Sequence, residues 1–259
     1  MPFPRSSYAN LISPSELKKP DNALYVLIDQ SVGFDNNIKT RIIQSINDWL
    51  LEPGREIEIT RFSSAVIGRY SEVVIKGRFD PEPDEKFLNN LKRSDWIKFS
   101  KNYHSNHFLA MQQVNIAIDR IFKDSQPTIA KSDIVSTIFE YSDHIKKGDA
   151  NKKTLLIISD MFENSKITSF YENGHVRSIN PSMELQKVKL MNMLPNFGNN
   201  VTVYIVGLGY YWGGDGSKKE TYLDPVRINN IKLFWQNYFN DSKVGIGEMG
   251  CPIMKGALK

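Results

Sequence analysis

The chain contains one cysteine, Cys251, in 259 residues. An internal disulfide is therefore excluded, and so is any zinc site built on cysteine. A lone thiol fits a reducing compartment without excluding export of a disulfide-free protein. Histidine is scarce too, at four residues. His104 and His107 stand three apart with no third ligand beside them to complete a zinc site. His144 and His175 are isolated and read as surface or capping groups. No apolar run approaches the roughly 18 residues of a membrane span. The start, MPFPRSSYANLISPSELKKP, lacks the uninterrupted apolar core of a signal peptide. As written the chain reads as cytoplasmic; a periplasmic or secreted protein trimmed of its leader would begin the same way. A strong charge of one sign is also missing: 33 Lys and Arg against 29 Asp and Glu give +4. The basic residues are scattered rather than clustered, so nucleic acid is not an implied partner. There is no Walker motif and no Gly-x-Ser-x-Gly elbow.

What is present is ordinary globular material: 41% hydrophobic, 24% charged, mean hydropathy −0.38. The length suits one large domain, or one with a substantial insertion. Residues 1–22, rich in proline and serine, read as an irregular arm, with Ser13 to Leu17 able to form one helical turn. Residues 23–240 read as an α/β domain with a variable insertion around 84–130, and 241–259 as a tail.

The domain is built around Ala23 to Asp35, ALYVLIDQSVGFD. Its uncharged run up to Ile28 suits a strand buried on both faces. Ile38, Ile42, Ile46, Trp49 and Leu50 then recur at helical spacing, and Pro53-Gly54 ends that helix. Glu56 to Phe62 alternates as a strand with one wetter face, and Ser71 to Phe79 reads as its hairpin partner. Phe108, Met111, Asn115, Ile118 and Phe122 predict a helix near 107–123. The stretch before it, with Trp96, Phe99 and Tyr103, reads as helix or irregular insertion. A helix is predicted from Ser132 to Lys147, closed by Gly148. Lys153 to Asp160 is a second buried strand, 182–194 a helix, Asn200 to Gly207 a third buried strand. The aromatic face Phe234-Trp235-Tyr238-Phe239 lies on a last helix and reads as core. This alternation predicts an α/β, doubly wound, mostly parallel sheet with one antiparallel edge strand and helices on both faces.

Ligands bind beyond the carboxyl ends of strands in such sheets. Three oxygen-rich loops fall there: Asp29-Gln30-Ser31-Val32-Gly33, Lys131-Ser132-Asp133-Ile134 and Ser159-Asp160. Carboxylates and hydroxyls without His or Cys suit hard divalent ions such as Mg²⁺. The same residues also have a plainer use, since Asp and Ser cap helices and satisfy strand-end amides. Gly207-Leu208-Gly209 with Gly213-Gly214-Asp215-Gly216 lacks dinucleotide-loop spacing and reads as a glycine-rich loop near the ligand edge.

Taken together, residues 22–240 resemble a von Willebrand factor type A domain. In that family the first strand ends in Asp-x-Ser-x-Ser, a Thr comes from a segment opening a later helix, and an Asp ends the fourth strand. Asp29, Ser31, Ser132 and Asp160 match that metal-ion-dependent adhesion site, with Ser132 in place of the Thr. Gly33 stands where the second serine would be. The resemblance implies a non-enzymatic protein-interaction module holding Mg²⁺, with Mn²⁺ or Ca²⁺ as substitutes, and a partner protein's acidic side chain completing the metal shell. Two other readings remain: a metal-free scaffold of the same fold, suggested by Gly33, and a Mg²⁺-dependent phosphohydrolase using Asp29. The latter lacks the second Asp such enzymes use and any lysine or histidine beside it.

Overall fold

In the computed structural model, which describes residues 2–13, 16–63, 71–125, 132–210 and 223–259, the chain begins its regular structure with β1 (Asn22–Asp29) and α1 (Asn36–Leu50). A hairpin of β2 (Glu56–Phe62) and β3 (Ser71–Arg78) follows, then α2 (Glu85–Asn90), α3 (Arg93–Asp124) and α4 (Ile134–Lys147). After β4 (Lys152–Ile158) come the two short strands β5 (Tyr171–Glu172) and β6 (His175–Val176), and α5 (Pro181–Leu190). β7 (Val201–Val206), α6 (Pro225–Asp241) and β8 (Gly245–Met249) complete the order.

The main sheet runs β3-β2-β1-β4-β7-β8. β3 pairs antiparallel at one edge, and every other pairing is parallel. This is the predicted fold class. β1 lies inside the sheet because seven of its eight residues, Ala23 to Asp29, are buried. Alternation sends Leu24, Val26 and Ile28 into a core with α1 and α3. Ala23, Tyr25 and Leu27 go into the opposite core with α4, α5 and α6. The aromatic row Phe234, Trp235, Tyr238 and Phe239 is wholly buried in this second core. Among the described residues no helix is long and apolar enough to cross a membrane.

Three features differ from the expectation or sharpen it. The stretch 93–106 belongs to one 32-residue helix, α3, roughly 48 Å long at 1.5 Å per residue. Its first half buries only Phe99, which packs on Tyr8 and Phe87, so apolar periodicity could not reveal it. Gly245–Met249, assigned from sequence to a tail, is a sixth strand beside β7. The arm is irregular but pinned: Asp80 accepts Ser6 Oγ at 2.5 Å and the Ser7 amide at 2.7 Å.

Candidate functional site

In-register parallel pairing decides what emerges at the carboxyl edge. Ile28 pairs with Ile158 and Asp29 with Phe62, so the loops after β1 and β4 leave the sheet side by side. Asp29 is 1% exposed. Its Oδ1 accepts the Ser31 amide at 2.9 Å and Ser31 Oγ at 2.6 Å. Its Oδ2 accepts Ser159 Oγ at 2.8 Å. Ser132 Oγ lies 3.3 Å from Oδ1 and 3.2 Å from Oδ2. Ser31 Oγ and Ser132 Oγ are 2.5 Å apart. Asp29 thus collects hydroxyls from three loops, which is more than a strand-end cap requires.

The helix caps are supplied by other residues. Asp35 caps α1 by accepting the Ile38 amide at 2.9 Å, and Asp133 caps α4 by accepting that of Ser136 at 3.1 Å. Ser132 stands one residue before its cap, so its hydroxyl is free to face Asp29 rather than the helix. Asp160 is partly buried, and its Oδ1 accepts the Phe162 amide at 3.0 Å, a local turn bond. The next residue, Met161, is buried with φ 63°, a left-handed conformation that costs a side-chain-bearing residue roughly 1–2 kcal/mol. It is held there from both sides. Its amide donates to Ser159 Oγ at 3.0 Å, and Trp235 Nε1 donates to its carbonyl at 2.9 Å. Below them sits Gly207 at φ 101°, where a Cβ would lie 2.8 Å from the Ser159 carbonyl oxygen.

Burial dominates the electrostatics of both acids. Burial pushes the Asp29 carboxyl up, against the opposing pull of its bonds from Ser31, Ser159 and Ser132. Asp160 is pushed well above the ordinary carboxylate range by burial and then by the Asp29 charge. Two carboxylates and two hydroxyls form an all-oxygen set that fits a hard divalent ion. The hydroxyls keep lone pairs while donating their hydrogens to Asp29. Two oxygens side by side on an ion at roughly 2.0–2.1 Å stand about 2.9 Å apart, so Ser31 and Ser132 would part by a few tenths of an ångström. Gly33 adds no side-chain oxygen. Among the described residues no cluster of three His, Cys, Asp or Glu side chains has the arrangement of a metal site.

Of the four residues singled out from sequence, Ser31 and Ser132 meet on Asp29, while Asp160 stands in the loop after β4, close enough to feel the Asp29 charge. Ser159 belongs with them. It directly follows β4, in the Ser159-Asp160 loop already marked as oxygen-rich by its sequence. Glu163, described below, carried no such signal. Of the other candidates, His104 bonds the Ser100 carbonyl within its own helix, and His107 packs on Phe79. His144, read as a surface or capping group, is exposed, and from there it also bonds the buried Glu58 carboxylate at 2.8 Å. The glycine cluster 213–216 and Lys131 lie outside the described residues.

No protein-family model matches the chain, and no curated protein matches its sequence. Among solved structures it is similar to an aerotolerance-related membrane protein from Bacteroides fragilis, with TM-score 0.42 and 11% identity over 90% of this chain and 92% of that one. It is also similar to the pilus adhesin SpaC from Lactobacillus rhamnosus GG, with TM-score 0.40 and 14% identity over 88% of this chain and 31% of that one. The PilB minor pilin from Streptococcus sanguinis gives TM-score 0.47 and 9% identity over 90% of this chain and 58% of that one. The chain thus spans less than two thirds of the adhesin and of the minor pilin.

Proposed function

We propose that the chain is a non-enzymatic protein-interaction module of the von Willebrand factor type A kind, whose partner docks over the edge carrying Asp29, Ser31, Ser132 and Asp160. One observation carries the reading: residues from three separate loops converge on a single buried carboxylate, with a second carboxylate close enough for their charges to interact. In this reading Mg²⁺, when bound, supplies positive charge beside the two carboxylates and an attachment point for a partner's carboxylate. Asp29, Ser31, Ser132 and Asp160 are the residues that would hold it. Asp29 suits this better than nucleophilic attack, because it is 1% exposed and hydrogen-bonded on both oxygens. The test is calorimetric titration of Mg²⁺ into the wild type, Asp29→Ala and Asp160→Ala. Binding by the wild type that both variants lose is expected. Equal heats from all three proteins would sink the metal-dependent form.

Gly33 favours a second reading, a metal-free scaffold in which the hydroxyls serve only to satisfy Asp29. That form requires a melting temperature indifferent to millimolar Mg²⁺, since an ion bound only by the folded state must raise it.

A further inference from the structure

The loop after β4 contributes a second buried acid. Glu163 is wholly buried, and its Oε2 accepts the amides of Ile134 and Val135, both at 2.9 Å. These are the first two residues of α4, where a helix leaves its amides without partners of its own. Asp133 satisfies only the Ser136 amide by its side chain. The neighbouring Asn164 donates its amide to the Ser132 carbonyl at 2.9 Å. Ser132 is thus gripped at its own carbonyl and, two and three residues on, through the start of its helix. Both grips come from the segment that also carries Ser159 and Asp160.

The geometry points to Glu163 as a positioning residue: by holding the first turn of α4 it keeps the Ser132 hydroxyl on Asp29. What that hydroxyl is for rests on the proposed interaction site; where it stands does not. Among the described residues the other carboxyl oxygen, Oε1, has no hydrogen-bond partner, though it is buried. Burial pushes the group up to about 8, ahead of the opposing pull of Ser165 and the two amides. The raised carboxyl keeps Oε2 as the acceptor of both amides. A glutamine keeps that accepting oxygen, whereas a leucine keeps the bulk and loses it.

The experiment compares Glu163→Gln, Glu163→Leu and Glu163→Asp with Ser132→Ala. It follows amide hydrogen exchange at Ile134 and Val135 and the carboxyl ¹³C titration of Asp29. Glu163→Gln is expected to keep both amides slow and Asp29 as in the wild type. Glu163→Leu should speed both amides at least tenfold, leave the β1 amides slow, and move Asp29 upward as Ser132→Ala does. Glu163→Asp, one methylene short, should show the same changes to a smaller degree, and it decides the matter if the leucine variant does not fold. Wild-type exchange in the leucine variant overturns the proposal, and so does loosened exchange with Asp29 unmoved, which would make Glu163 a helix cap alone. A glutamine variant as damaged as the leucine one overturns it as well. A wild type that ignores Mg²⁺ would remove the metal-dependent function and leave these two readouts standing.

Discussion

Ser31 Oγ and Ser132 Oγ lie 2.5 Å apart across 101 residues of chain, and both face the same oxygen of Asp29. Each hydroxyl has one hydrogen, so two hydrogens serve three close contacts. When both point at Asp29, the two oxygens press lone pair against lone pair. Removing one serine must therefore change what the other contributes. Ser31→Ala loses the 2.6 Å bond to a buried carboxylate and is expected to cost about 1–3 kcal/mol. Ser132→Ala loses contacts of 3.2 and 3.3 Å and relieves the crowding, so it should cost under about 1 kcal/mol. Urea unfolding of both single variants and the double variant measures the coupling. Strict additivity would mean that the two hydroxyls do not share Asp29.

Gly33 gives a direct test of the metal reading. It is absent from the positive-φ glycines among the described residues, so a side chain there meets no backbone strain. Gly33→Ser places a hydroxyl in the Asp29 loop. The expected outcome is a Mg²⁺ midpoint at least tenfold lower by calorimetry, which corresponds to about 1.4 kcal/mol. Without metal, stability should stay level or rise slightly, since serine restricts the unfolded chain more than glycine does. An unchanged midpoint would mean that this edge does not coordinate the ion.

Gly207 supports the same edge from below. A Cβ there would come within 2.6 Å of the Phe34 ring and 2.8 Å of the Ser159 carbonyl, at a φ of 101° that L side chains avoid. The ring can shift; the backbone oxygen is fixed by sheet pairing through the Ser159 amide to the Val206 carbonyl at 3.0 Å. Gly207→Ala is expected to cost over about 2 kcal/mol. Because Ser159 bonds Asp29, the variant should also move the Asp29 titration. Loss of stability with Asp29 unmoved would detach Gly207 from the site.

How far sequence alone reached follows from which signals were local. β1, β4 and β7 announced themselves by continuous apolar runs, and the loops after β1 and β4, with the segment that opens α4, carried the four candidate residues. β8 did not, because Gly-Ile-Gly-Glu-Met has too little apolar content and takes its place by pairing with β7. The β5–β6 hairpin had a usable cue in Asn173-Gly174, both at positive φ, between two short segments. Glu163 was out of reach in principle. Its partners are 28 and 29 residues away, and only the packing of α4 brings them together.

The Glu163 carboxyl also makes a signed prediction about pH. Its folded value of about 8 lies above the ordinary 4.5, so the folded state holds a proton that the unfolded state has released. That preference stabilises fully below pH 4.5 and fades as pH rises towards 8. Asp29 and Asp160 are shifted in the same direction. Wild-type stability should therefore fall between pH 5 and 8, with Glu163 contributing up to about 1.4 kcal/mol per unit. Glu163→Gln cannot titrate and should fall less steeply. Urea midpoints at pH 5, 6, 7 and 8 compare the slopes, and parallel curves would refute the assignment.

A second buried carboxylate, far from this edge, carries the opposite sign. Glu58 on β2 is 1% exposed and faces α4. Burial alone would push its carboxyl up. Bonds from the Tyr141 hydroxyl, from His144 Nε2 at 2.8 Å and from Lys76 Nζ at 3.0 Å hold it below the ordinary value instead. A lowered carboxyl stabilises above about pH 4.5 and loses that contribution as pH falls through its folded value, the reverse of Glu163. Glu58→Gln takes away the anion that Lys76 and His144 face, but both of those side chains are about half exposed and stay hydrated, so it should cost about 1–3 kcal/mol at pH 7. Tyr141→Phe removes one donor and should cost about 1–3 kcal/mol. Because Glu58 pairs with Tyr25, four residues before Asp29, it sits roughly 13 Å down the strand from the site. Stability should therefore drop in both variants while the Mg²⁺ midpoint stays at its wild-type value. A midpoint that moved with Glu58→Gln would show that the buried ion cluster and the edge act as one unit, and the separation argued from strand register would be wrong.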